Sequence, residues 1–171
     1  MDSHAVDWLR KSGFDPAGDL VDPRLPARVR EQPNDMEDYR STALFEASLE
    51  GELEVVKWLF EHGAASTLRT PDSQGKTPLF GACSGGHLDV AKWLHDKGAS
   101  GDISVVNKYQ QTPMIMAAQE GHLHIIKWLF SVGATQDIRT KNHLGQSPML
   151  VACSWGHLHV CKWLFDAGAS Q

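Results

Sequence analysis

The chain has only three cysteines among its 171 residues, too few for a disulfide framework, and they point to a reducing compartment. It has no basic excess either. Sixteen Lys and Arg stand against 21 Asp and Glu, a net charge of -5, which leaves no electrostatic footprint for a nucleic-acid backbone. No window holds the roughly 18 uninterrupted apolar residues of a spanning helix. The first residues, MDSHAVDWLRKSGF, lack a basic leader followed by an apolar run. The expectation is an intracellular protein, in the cytosol or the nucleus, that is not inserted in a membrane. Chemistry-bearing motifs are missing as well. There is no glycine-rich phosphate loop, no paired-carboxylate signature, and no nucleophile, base and orienting group within one motif. Neither an enzyme nor a cofactor nor a small-molecule substrate is expected.

What the sequence does hold is repetition. The segment EVVKWLFEHG returns as AKWLHDKG, IKWLFSVG and CKWLFDAG, which places Trp58, Trp93, Trp128 and Trp163 at intervals of 35 residues. Four copies of an apolar motif argue for architecture, because a catalytic centre needs one set of groups in one place. Aligned on the tryptophans, the units span 42–76, 77–111, 112–146 and 147–171. Each opens on Thr or Ser, three times followed by Pro: Thr77-Pro78, Thr112-Pro113 and Ser147-Pro148. A hydroxyl that accepts orphan N–H groups, with Pro at the first helical position, starts a helix. Gly86, Gly121 and Gly156 divide two helices, and Gly63, Gly98, Gly133 and Gly168 end the second. The unit is therefore helix, turn, helix, connector.

Positions that do not change explain how such units stack. Ala47, Ala82, Ala117 and Ala152 recur mid-way along the short helix, where only a small side chain lets neighbouring backbones approach. In the second helix the apolar arc is wide, leaving Glu54, Lys57 and Glu61 on the polar side. Helices buried that broadly need neighbours on several sides. Cys83 and Cys153 share one repeat position, and Cys161 falls where the other units have Val56, Ala91 and Ile126. All three are expected as small core residues.

TPLFGACSGGHLDVAKWLHDKGA resembles an ankyrin repeat, whose pattern is T-P-L-H-x-A, then G-H-L and an apolar second helix closing on Gly-Ala. The resemblance covers residues 42–171 and implies an all-α fold, an α-solenoid of stacked helix-turn-helix units joined by hairpin-like fingers. Two features depart from the pattern. The histidine after T-P-L is replaced by Phe45, Phe80, Ile115 and Leu150, and the period is 35 residues where 33 is usual, with the surplus in the connector.

Residues 1–14 align with the second helix of a unit, through Val6, Trp8, Leu9 and Gly13, and read as a half-repeat covering the first unit. Residues 15–41, with Pro16, Pro23, Pro26 and Pro33, cannot form a long helix. A surface loop is the expectation there, with a docking role as the alternative.

The pairs His122-Leu123-His124 and His157-Leu158-His159 invite a metal reading. Two residues apart on a helix they would point about 200° from each other, so no metal site is expected. The tryptophan ladder is expected to pack against the equivalent helix of the next unit.

The resemblance implies a non-catalytic scaffold that binds a protein partner on its concave face and fingers. Positions that vary between units are free to serve that purpose. On the short helices these include Met116, Gln119, Glu120 and Trp155, and on the fingers Arg69, Asp72, Lys108, Tyr109, Arg139, Lys141 and His143. Glycine at 81 and 85 against Met116 and Trp155 shifts the expected contact toward units three and four. Because the last unit is as apolar as the internal ones, the alternative is a structural subunit docked through that unit. The chain would then be a monomer or part of a hetero-complex.

Overall fold

A computed structural model describes residues 3–14 and 41–169. The helices among them are α1 (Ser3–Lys11), α2 (Ala43–Glu50), α3 (Leu53–Glu61), α4 (Pro78–Gly85), α5 (Leu88–Asp96), α6 (Pro113–Gln119), α7 (Leu123–Ser131), α8 (Pro148–Ser154) and α9 (Leu158–Asp166). No strand occurs among the described residues. The proline-rich stretch, expected as a loop over 15–41, lies outside them except for Ser41.

Each short helix starts as its sequence dictates. The side-chain oxygens of Thr42, Thr77, Thr112 and Ser147 accept from the backbone N–H of Phe45, Phe80, Ile115 and Leu150 at 3.1, 3.4, 3.3 and 3.4 Å. Glycines in the left-handed region, such as Gly51 and Gly86 at φ of 80° and 81°, reverse the chain into the second helix. Consecutive short helices pack on one another, α2 on α4, α4 on α6 and α6 on α8. The second helices lie behind them, and α3, α5 and α7 pack in order. The small-residue rule accounts for the close layer: Ala47, Ala82, Ala117 and Ala152 are all fully buried.

At the departure from the T-P-L-H pattern, Phe45, Phe80 and Ile115 fill the interior and are at most 1% exposed. Burial replaces the hydrogen bonds that a histidine would make there. Helix α1 packs against α3, burying Ala5, Trp8 and Leu9, and Trp8 Nε1 donates to Glu50 Oε2 at 2.9 Å.

Three expectations need correction. The tryptophans reach back to the preceding repeat rather than forward to the next. The ring of Trp93 lies edge-on to Phe60 at 5.2 Å, Trp128 to His95 at 5.8 Å and Trp163 to Phe130 at 5.5 Å.

Of the cysteines, only Cys83 is a fully buried core residue, and that burial raises its thiol pKa far above the ordinary value. Cys153 is exposed, and no further repeat lies on α8 among the described residues. Its sulfur lies against that of Cys161, with Cα atoms 5.8 Å apart, a separation that a disulfide spans.

Met116, expected at the binding surface, belongs to a variable short-helix position that is interior, whereas Glu120 and Trp155 are exposed. Glu46, Gly81, Met116 and Val151 are all buried. A Cβ on Gly81 would lie 3.1 Å from the Phe45 ring.

Gly85 is held still more tightly. A Cβ there would lie 2.4 Å from the Leu49 carbonyl oxygen and 2.6 Å from the His87 ring. Gly85→Ala is therefore expected to destabilise the chain by about 1–3 kcal/mol through overpacking, measured by urea unfolding. An unchanged midpoint would mean that repeats one and two are not this closely stacked.

Candidate partner-binding surface

The fingers are built on one recurring device. Asp72, Asn107 and Asn142 are buried at the same place in successive repeats, and each side-chain oxygen accepts two backbone N–H groups of its own finger. Asp72 Oδ1 accepts from Gln74 and Lys76 at 2.8 and 2.7 Å. Asn107 Oδ1 accepts from Tyr109 and Gln111 at 2.9 and 3.0 Å. Asn142 Oδ1 accepts from Leu144 and Gln146, both at 3.0 Å. Short polar side chains make such turns because they satisfy the backbone locally. Asp72, expected at the binding surface, thus holds the shape of the first finger.

Adjacent fingers are tied tip to tip. The Lys108 N–H donates to the Gln74 carbonyl at 2.9 Å, and the His143 N–H donates to the Tyr109 carbonyl at 3.0 Å. The Nδ1–H of His143 donates to that same carbonyl at 2.8 Å, and the His143 ring lies 5.5 Å from the Tyr109 ring. Left-handed residues close the tips at Gly75 and Gly145, but the second finger uses Gln110 at φ 55°, a conformation with a steric cost for a side chain.

The expected site residues fall into three groups. Lys108, Tyr109, Lys141 and His143 are exposed together on fingers two and three. Leu144, 67% exposed, and Val106, 49% exposed, join them. Neither was singled out from the sequence, yet Leu144 stands at the repeat position of Tyr109, and that alignment was the available signal.

Arg69 and Arg139 brace the stack. Arg69 Nε bonds the buried Asp102 carboxylate at 2.7 Å, and Arg139 donates from Nε and Nη2 to the Gly168 carbonyl at 3.2 and 2.9 Å. One repeat further on, the pair is replaced by Ser104 and Asp137, whose burial raises the Asp137 pKa while the Ser104 hydrogen bond opposes the shift. Gln119, Glu120 and Trp155 lie at the turn end of the short helices, about 10 Å along the axis from the fingers at 1.5 Å per residue. Met116, between the two, is 9% exposed.

The histidine pairs also differ from the helical-wheel expectation. His122 and His157 precede the first helical residue, so their rings come within 5.9 and 6.2 Å of those of His124 and His159. They clamp the preceding turn: His157 Nε2 donates to the Gln119 carbonyl at 2.8 Å, and His124 and His159 donate to Gly86 and Gly121 at 2.7 and 3.1 Å. No group of three or more potential metal ligands occurs among the described residues.

Burial lowers the pKa of His122, with the neighbouring His124 adding to the effect and Glu120 opposing it. A base whose folded pKa is depressed binds its proton more readily in the unfolded state, so stability falls as pH drops below about 6.5. The melting temperature is expected to decline between pH 7 and 5, and His122→Gln should reduce that slope. An unchanged slope would remove His122 from the account.

A two-layer, all-helical array with laddered fingers defines a repeat solenoid, a class built to present an extended binding surface. A family model described as ankyrin repeats (3 copies) matches residues 4–104, one described as ankyrin repeats (many copies) matches 79–130, and one described as ankyrin repeat matches 144–170. The chain belongs to the ankyrin repeat family. Such repeats are generally protein–protein interaction modules, and the family is typically non-catalytic. No curated protein gives a significant match to the chain. No helix among the described residues is long and apolar enough to cross a membrane.

Proposed function

We propose that the chain is a non-catalytic scaffold that recognises a protein partner through fingers two and three, with the adjoining concave side of the array as its floor. The observation that carries this reading is the tip-to-tip ridge of Tyr109 and Leu144, exposed at one repeat position and flanked by Lys108, Lys141 and His143. An aromatic and an aliphatic side chain held on rigid backbone lose little entropy on binding, so they concentrate interface energy. The exposed finger charges are cationic although the chain as a whole carries -5, which selects a partner segment that combines acidic and apolar side chains.

The test is capture from native extract by the intact chain and by a Tyr109→Ala/Leu144→Ala variant. A protein recovered by the first and lost by the second, with an association rate that falls as salt rises, supports the reading. Equal recovery by both would end it.

A further inference from the structure

One repeat position closes all three finger tips, and it is filled by Gly75, Gln110 and Gly145. The three residues are left-handed, at φ of 84°, 55° and 75°. Each backbone N–H donates to a carbonyl of its own finger, that of Asp72, Asn107 or Asn142, at 3.0, 2.9 and 2.8 Å. The backbone alone therefore closes the turn, and glycine does so without the steric cost that a Cβ meets at positive φ. Crowding does not select glycine here. A Cβ on Gly75 would stand 3.4 Å from Asn107 Cα of the next finger, which is ordinary contact. Gln110 alone carries the conformational cost, and nothing inside the chain offsets it: the residue is exposed, and its carboxamide has no hydrogen-bond partner among the described residues.

Backbone strain of this kind concentrates where a protein holds a ligand. We infer that Gln110 is a specificity-determining residue of the partner surface, which rests on the finger reading above. Its carboxamide pairs with a main-chain peptide group of the partner, in an extended segment laid across fingers two and three. A carboxamide offers one acceptor oxygen and two N–H donors, so it matches a peptide group at both its N–H and its C=O. The group is also neutral. Lys108 and Lys141, exposed on the same two fingers, supply the charge that draws acidic side chains. A neutral amide between them meets the part of the segment that carries no charge, its backbone. Tyr109 and Leu144 then hold the segment by its apolar side chains, and Gln110 fixes its register.

Two measurements on the intact chain decide it. In the first, Gln110→Gly is expected to leave the urea midpoint unchanged or to raise it, because the variant matches the other two tips. A lowered midpoint would make the side chain structural and overturn the proposal. In the second, a phage-displayed library of random short peptides is selected on the chain, and the peptides kept are those lost on Tyr109→Ala/Leu144→Ala. Their affinity is expected to fall about tenfold on Gln110→Gly. Replacing the peptide bonds of the tightest binder by esters, one at a time, should find a position that costs as much as Gln110→Gly and adds nothing to it. Affinity unchanged by Gln110→Gly, or non-additivity only with a peptide side chain, would overturn the proposal while the finger surface stands. If no selected peptide depends on Tyr109 and Leu144, the finger surface falls and the role of Gln110 falls with it.

Discussion

Phe80→Ala is expected to lower the unfolding free energy by about 3–5 kcal/mol, the range for removing a fully buried aromatic side chain. Phe80 is 0% exposed in an interior repeat, and α4 packs against both α2 and α6. The cavity would weaken two repeat interfaces, and in a stacked array each interface is a main share of stability. The helix start survives the change, because the bond to Thr77 comes from the backbone N–H of residue 80. Leu150→Ala provides the contrast: the same repeat position is 49% exposed in the fourth unit, and the expected loss is about 1 kcal/mol. Urea unfolding of the two variants checks the pair. Equal losses would show that position in the stack does not set the burial energy.

That contrast marks what the sequence could and could not show. Recurrence of Ala82, Trp93 and Gly98 at 35-residue spacing is local information, and it revealed the units, their caps and the ankyrin family. Burial at a given repeat position depends instead on the neighbour above it. Cys83 and Cys153 occupy equivalent places, and only the first is covered. Met116 varies between repeats and is nonetheless interior. Asp72, an exposed charge on sequence grounds, is drawn inward by the N–H groups of Gln74 and Lys76. Tyr109 was legible as an aromatic in a turn, but its adjacency to Leu144 required the register between fingers. For the histidine pairs only the ring directions differ from the helical wheel, because His122 and His157 stand before the helix begins.

Tyr109→Ala is expected to weaken partner binding by at least about 2 kcal/mol, roughly thirtyfold, as for a central aromatic anchor. The side chain is 47% exposed, and the bonds that join fingers two and three run through its backbone carbonyl. The substitution therefore removes contact area while leaving the ladder intact. Lys108→Ala and Lys141→Ala act differently, with effects mainly on association rate and salt dependence. Trp155→Ala, at the opposite end of the short helix, separates a finger-centred footprint from one that extends to the turns. A loss matching that of Tyr109→Ala would extend the footprint across the short-helix layer.

The most direct measurement is the affinity of the purified partner for the intact chain and for the Tyr109→Ala/Leu144→Ala variant, with helical melting followed in parallel. The account predicts a loss of at least thirtyfold in affinity with the melting transition retained. Unchanged affinity, or a loss of binding that accompanies a collapsed transition, would contradict a partner surface on the fingers.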